Sequence, residues 1–587
     1  MIYLFVLLSR FLSGGPVSID PLVDQSLKTK GYADILCILK SPYQNLAQIT
    51  TQFDTKEQMG QFVFERLKTY SDQSQRLILS QLQKDHIDFQ SFFIVNAIHI
   101  PHADASLINY LSSRTEVDRI EYNSVYSLQQ PIKATNLSLS PLESRSPLAI
   151  EWGILRIRAD SLWSLGIKGK GAVIGGEDTG VQLHPLIKNS YRGTLSSTLQ
   201  DDNYNWHDAI HSLSPLNHDS TTNKYNNPCG LDTLGPCDDN NHGTHTMGTM
   251  AATDNMIGVA PEAKWIACRC MERDWGSPAS YIECFQFFLA PTDLTNKNPD
   301  PKKAPHVINN SWGCPAEEGC NPSNFKTMEQ AIKNLKAAGV FVTVSAGNSG
   351  GLGCSSINDA PAIFESSFTV GAINMADEIT GFSSKGPVRV DSSFRLKPDL
   401  TAPGQTVLST IRNGGFAFFS GTSMSGPHVA GAVALLISAF PSLAGKVSLI
   451  ENILKQSADQ KPVNGLCSTD SIMSYPNNIY GYGILNVYKA YQLAKTLLTT
   501  PVKEQKTVES IRVFPNPSDS YVWFEVNPTD HATTISMINL HGQILLQQKN
   551  INQSLFYIDV TSLPAGMYYY KVTSKNKVYD GKVLVSH

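Results

Sequence analysis

Between residues 150 and 498 the chain repeats one pattern: a short apolar run bounded by Gly, Pro or polar residues, then a longer helix-like stretch. The runs are Ala172–Gly175, Trp265–Cys268, Val307–Asn309, Val340–Val344 and Phe368–Val370; the helix candidates include His245–Thr253, Lys326–Ala338 and Ser425–Ala439. Short runs without polar alternation read as strands buried on both faces. Strands that alternate with helices predict an α/β fold, a parallel sheet with helices on both faces. Such a sheet carries its functional groups at the carboxyl ends of its strands.

The flanks read differently. Residues 16–130 form a small α+β unit, with strands at Ala33–Leu39, Phe92–Ile100 and Val117–Glu121 and helices at Thr55–Lys84 and Ala103–Ser113. Residues 131–150 read as a linker, since Ile132–Ser146 is rich in Ser, Pro, Asn and Leu without period. Residues 151–498 are the α/β block, and 499–509 is a second polar linker. From 510 to 587, β-rich runs such as Tyr521–Val526, Thr534–Asn539, Leu555–Val560 and Met567–Val572 predict a small β-sandwich. Residues 1–15 read as a signal peptide: an apolar run, Ile2–Leu8, precedes Ser and Gly, although no Lys or Arg precedes it. No later apolar stretch is long enough for a membrane span.

Composition narrows the function classes. With 41% hydrophobic and 17% charged residues the chain has ample material for a core, which excludes disorder. A formal net charge of −4 gives no basic surface for nucleic acid. Among the 10 cysteines, Cys229 and Cys237 lie close together in loop-like sequence, as do Cys314 and Cys320, and short-range disulfides fit an oxidising compartment. Cys268, in an apolar run, reads as a buried free thiol. The full pairing is not legible.

Four stretches carry chemistry. Gly421-Thr422-Ser423-Met424-Ser425-Gly426 opens an apolar helix, so Ser423 sits where backbone N–H groups and the helix dipole favour a developing anion. Asn241-His242-Gly243-Thr244-His245 opens a helix of small residues, and a neutral His242 can take a serine proton. Asp178-Thr179-Gly180 follows a buried-strand run, and a carboxylate there can hold a histidine in one tautomer. Ser345-Ala346-Gly347-Asn348 ends another strand, and the Asn348 amide can donate to an oxyanion. Each has a bland reading: a helix cap for Ser423, a turn for Asn348. His242, His245, Asp238 and Asp239 also form a candidate metal cluster, but no Glu follows His242 as in zinc proteases. Asp-Thr-Gly is an aspartic-protease signature too, yet that chemistry needs two such aspartates and no second one occurs. The order Asp, His, Ser is a known triad order, unlike that of the α/β-hydrolases.

These motifs together resemble the subtilisin-like serine proteases, peptidase family S8, over about residues 150 to 498. Lys397-Pro398-Asp399-Leu400-Thr401-Ala402-Pro403-Gly404 and Gly481-Tyr482-Gly483-Ile484-Leu485-Asn486 add to the match. The insertion between Asp178 and His242, with Trp206, Cys229 and Cys237, is similar to the bacillopeptidase F type. The resemblance implies that Asp178, His242 and Ser423 form a triad and that Asn348 completes an oxyanion hole. It implies that Ser311, Trp312 and Gly313 form an edge strand that binds extended substrate. No cofactor is implied. Calcium sites are frequent in the family, and no loop here carries a liganding pattern. The N-terminal unit resembles the family's inhibitory propeptide, through Phe93-Ile94-Val95-Asn96-Ala97-Ile98 and Val117-Asp118-Arg119-Ile120-Glu121. The C-terminal block resembles the type IX secretion sorting domain of Bacteroidetes, through Val513-Phe514-Pro515-Asn516-Pro517-Ser518 and Leu563-Pro564-Ala565-Gly566-Met567-Tyr568. The alternative for this block is a carbohydrate-binding sandwich, disfavoured because it offers few exposed aromatics beyond Tyr568–Tyr570. The whole predicts a secreted or cell-surface endopeptidase made as a zymogen. Its partners would be protein substrates, its own propeptide and the type IX machinery. An inactive binding protein on the same fold is the contrasting reading.

Overall fold

The computed structural model describes residues 17–43, 46–50, 52–123, 149–217, 227–254, 256–463, 467, 475–499, 511–526, 532–539, 543–574 and 578–586. The expected signal peptide and most of both linkers lie outside these residues. The chain divides into two compact units, 1–496 and 497–587.

The first unit begins with β1 (Ser18–Ile19), α1 (Pro21–Lys30), β2 (Ala33–Leu39), α2 (Lys56–Lys84), β3 (Gln90–Phe92), β4 (Ala97–Ala103), α3 (Ala105–Ser112) and β5 (Val117–Tyr122). Its sheet has the order β1-β5-β2-β4-β3. The start of α2 is fixed by a capping box, Thr55 with Gln58. The run predicted as one strand over Phe92–Ile100 is instead a hairpin. Asn96 adopts φ 51°, a left-handed conformation that asparagine tolerates, and Phe93, Ile94 and Val95 leave the sheet to bury themselves elsewhere.

The central body contains β6 (Val173–Asp178), β7 (Trp206–Asp208), α4 (His242–Ala251), β8 (Lys264–Arg269), α5 (Pro278–Leu289), β9 (Val307–Asn310), α6 (Phe325–Ala337), β10 (Phe341–Ser345), β11 (Phe368–Ile373), β12 (Leu400–Pro403), β13 (Val407–Thr410), β14 (Phe416–Phe419) and α7 (Thr422–Ala439). Seven strands form a sheet in the order β12-β11-β10-β9-β6-β8-β7, every pair parallel. β7, from the insertion before His242, is its edge. The strands are buried almost throughout, as the unalternating apolar runs require. Helices α4 and α7 cover one face and α5 and α6 the other. Helix α7 is buried on nearly all sides because its residues are small or apolar.

The N-terminal sheet packs on α5 and α6. One hydrophobic core runs through both, from Leu36, Phe92 and Phe93 to Phe285, Ala331 and Leu335. The turn after β3 is the anchor: the Phe93 and Ile94 amides donate to Gln286 Oε1 at 2.6 and 3.2 Å, and Asn334 Nδ2 donates to Ile94 O at 2.6 Å. Asn123 Oδ1 accepts from the Ala279 amide in the first turn of α5 at 2.8 Å. Lys56 reaches Ala304 O at 2.9 Å.

The second unit comprises β15 (Arg512–Phe514), β16 (Tyr521–Glu525), β17 (Ala532–Ile538), β18 (Ile544–Gln553), β19 (Leu555–Asp559), β20 (Gly566–Ser574) and β21 (Val578–Val585). They form two antiparallel sheets, β15-β16-β19 and β18-β17-β20-β21, around one core. The expectation about its aromatics holds only in part: Tyr569 is exposed, but Tyr568 and Tyr570 are buried, and Phe514, Tyr521, Trp523 and Tyr557 are exposed as well.

Disulfides join Cys229 to Cys237 and Cys314 to Cys320, and also Cys354 to Cys467. Cys268 corrects the sequence reading: it is bonded to Cys284, tying β8 to α5. Among the described residues Cys37 and Cys270 are the free, buried thiols. No described helix is long and apolar enough to cross a membrane.

Candidate active site

Asp178 is the last residue of β6, His242 the first of α4 and Ser423 the second of α7. The sheet and α4 bring Asp178 and His242 together, and α7, on the same face, carries Ser423. His242 Nδ1 lies 2.7 Å from Asp178 Oδ1. Asp178 is held by the Thr179 amide at 2.8 Å and by Thr246 Oγ1 at 3.3 Å. Burial lowers the affinity of His242 for a proton, but the charge and hydrogen bond of Asp178 outweigh it, and the imidazole pKa is raised.

Two glycines permit this closeness. A Cβ on Gly243 would stand 1.9 Å from Gly180 O, and one on Gly180, at φ 100°, would stand 1.9 Å from Cys237 O. Asp238 caps the start of α4, accepting from the amides of Asn240, Asn241 and Thr244 at 2.9, 3.1 and 3.0 Å.

Ser423 sits at a junction created by Pro427. Proline has no N–H, so the bond that residue 427 would make to Ser423 O is missing. Ser311 Oγ supplies it instead, donating to Ser423 O at 2.8 Å, while Ser423 Oγ donates to Ser311 O at 3.0 Å. Asn348 Oδ1 accepts from Thr422 N and Thr422 Oγ1 at 2.9 and 3.0 Å. That orients the exposed Asn348 side chain beside the α7 N-terminus, where helix amides lack intrahelical partners.

Ser311, Trp312 and Gly313 continue the chain beyond β9 and lie outside any strand; the next residue, Cys314, makes a single bridge to Ala360. The Trp312 ring is core rather than rim, stacked on Tyr281 at 3.7 Å and only 5% exposed. Gly313 is exposed.

The residues of the candidate metal cluster turn to other partners. His245 Nε2 faces Val407 O and Ala417 O, both at 3.1 Å, its ring stacks on Phe419, and burial lowers its pKa to about 3. Asp239 pairs with Arg269 at 2.6 Å. No group of His, Cys, Asp or Glu among the described residues is arranged to hold a metal ion.

Sequence reasoning missed Arg269. It is fully buried opposite Asp178 on β8, and its second carboxylate partner is Asp208 at 3.0 Å. Through Asp239 it pins the loop that delivers His242. An arginine ending an apolar run, 30 residues after the Asp238-Asp239 pair, was the available signal.

The sequence profile of the subtilase family matches residues 169–483. The chain belongs to the subtilase family. That is a family of serine-type endopeptidases. The profile of the secretion system C-terminal sorting domain matches residues 512–586, which marks this subtilase for export to the cell surface or the medium. It is 33% identical to bacillopeptidase F of Bacillus subtilis (strain 168) over 454 residues, 74% of this chain and 29% of that protein. It therefore spans less than a third of that relative. It is 28% identical to subtilisin DY of Bacillus licheniformis over 346 residues, 58% of this chain and 99% of the other. With the major intracellular serine protease of Bacillus subtilis (strain 168) it shares 30% identity over 291 residues, 49% of this chain and 74% of that one.

Proposed function

We propose that this subtilase is a secreted serine endopeptidase, made as a zymogen, in which Asp178, His242 and Ser423 are the catalytic residues. The observation that carries the reading is the 2.7 Å bond from His242 to the buried Asp178, on the same face of the sheet as Ser423.

Ser423 Oγ turns from Ser311 O to the imidazole, gives its proton to His242 Nε2 and attacks the peptide carbonyl carbon. Asp178 holds the Nδ1–H and stabilises the imidazolium. The oxyanion accepts from Asn348 Nδ2 and the Ser423 amide. His242 returns the proton to the leaving amine as the C–N bond breaks, leaving an ester on Ser423. Water, deprotonated by His242, cleaves that ester and restores Ser423. The backbone of Ser311–Gly313, beside the nucleophile, binds extended substrate. The N-terminal unit serves as the intramolecular inhibitor until it is cut away. The shared core beneath it, and its bonds to α5 and α6, favour a clamp that persists until then.

The test compares the full-length chain with Ser423→Ala by mass spectrometry and a fluorophosphonate probe. The wild type should shed its N-terminal unit and label at Ser423, with activity roughly a millionfold above the variant. Identical processing of both, with no labelling, would make the protein a binder matured by another protease.

A further inference from the structure

Strand β6 sends alternate side chains to opposite helix layers. A Cβ at Gly176 would meet Met247 on α4, and one at Gly175 would meet Phe288 on α5 and Ile308 on β9. Asp178 therefore faces the α4 layer and Glu177 the α5 layer. Glu177 is fully buried, and neither of its carboxyl oxygens has a partner. An isolated carboxylate is among the costliest groups a core can hold.

Across the sheet, Glu177 stands in register with Asn310 on β9, which is also fully buried. Asn310 gives its Nδ2 to Thr343 O on β10 at 2.9 Å. Because β10 and β6 flank β9 on opposite sides, the amide oxygen is turned towards β6. That oxygen has no partner either. Two partnerless acceptors on facing strands are satisfied together by one shared proton.

We propose that the carboxylic acid of Glu177 donates a hydrogen bond to Asn310 Oδ1 and so fixes the end of β9 on which Ser423 rests. The next residue, Ser311, donates its hydroxyl to Ser423 O and accepts from Ser423 Oγ at its carbonyl, while its hydroxyl also accepts from Asn309 Nδ2 at 2.8 Å. Glu177 is thus a positioning residue, one layer behind the triad, and this role rests on the serine-peptidase reading of Ser423. The titratable groups that interact with Glu177 are Asp178 on its own strand, Cys270 just beyond β8 and Tyr281 on α5. All are acids, and none stabilises a second negative charge. Burial first, then the Asp178 charge, push the Glu177 carboxyl well above the usual carboxylate range.

The experiment uses the full chain with Glu177→Gln and Glu177→Met. Glutamine keeps a donor for Asn310, and methionine keeps the volume without one. Glu177→Met should lower kcat roughly tenfold, the worth of one hydrogen bond, with a smaller change in KM. Glu177→Gln should restore kcat to within a few-fold. Infrared difference spectra of wild type against Glu177→Gln at about pH 8, where ordinary carboxyls are ionised, should show the carbonyl stretch of a protonated carboxyl. Equal losses in the two variants, or no such band, overturn the proposal. If the wild type fails to label with fluorophosphonate, the peptidase reading falls on its own. The infrared band then still decides whether the Glu177–Asn310 bond exists.

Discussion

The two faces of the central sheet do opposite work with opposite materials. On the α4 and α7 face the packing residues are small, and polar side chains are fixed one by one by short bonds: Asp178 by Thr179 and Thr246, Asn348 by Thr422. On the α5 and α6 face the residues are large and apolar, and the N-terminal unit is held by area, through Phe93, Phe285 and their neighbours. Chemistry needs directed groups at fixed angles. If, as proposed, the N-terminal unit is a clamp that later lets go, it can rely on burial, which has no preferred direction. The alternation of side chains along β6 separates the two tasks by a single residue.

Mutations should therefore damage one face and spare the other. The largest effect is expected from Asp178→Asn. It should lower kcat about ten-thousandfold by imposing the wrong histidine tautomer, with no change in hold on the N-terminal unit. The same variant sharpens the pH profile. A base must be neutral to act, and the raised His242 pKa puts the acid limb of the wild-type rate above the ordinary histidine value. The asparagine variant, lacking the charge, should move that limb down. On the other face, Phe93→Ala should weaken the seam by about 3–5 kcal/mol. Hydrogen exchange across residues 93–96 and α6, in the Ser423→Ala chain, reads that loss. Labelling of Ser423 in the processed Phe93→Ala enzyme, free of the N-terminal unit, should match wild type.

The smallest effect concerns Glu121, buried in the seam. It accepts from Thr327 Oγ1 and pairs with Arg119 at 2.6 and 2.7 Å. Burial outweighs the Arg119 charge and raises its pKa to about 7. A carboxyl raised on folding stabilises the folded seam fully at pH below its unfolded value, and that contribution is lost as pH rises through about 7. The seam should loosen by roughly 1–3 kcal/mol between mildly acidic and neutral pH. Glu121→Gln should flatten that slope in the same exchange measurement. A slope that persists in Glu121→Gln would assign it to other groups, and a wild-type seam equally tight at both pH values would overturn the prediction.

The parallel sheet was legible because burial on both faces leaves unalternating runs, and the places of Asp178 at a strand end and of His242 and Ser423 at helix starts were legible because small residues flank them. Legibility failed where a residue's role depends on which way it faces. Phe93–Val95 has the composition of a strand, yet its burial comes from helices more than 180 residues further along. Cys268 lies in a run that any buried thiol would suit; its partner comes from the following helix α5, at a sequence separation of 16. The tyrosines of 568–570 alternate along β20, and a one-residue choice of face decides which of them meet water. Trp312 reads as rim by its motif and packs as core by its neighbour Tyr281.

Pro427 gives Ser423, the proposed nucleophile, an unusual attachment. Because the proline withholds its bond, Ser423 is joined at both its carbonyl and its hydroxyl to Ser311, just beyond β9, and the helix start is riveted to that segment rather than closed on itself. Movement of the segment 311–313 is therefore movement of the serine. Under the peptidase proposal, a peptide that straightens this segment as it docks also sets the angle of the proposed nucleophile, so recognition and attack share one mechanical joint.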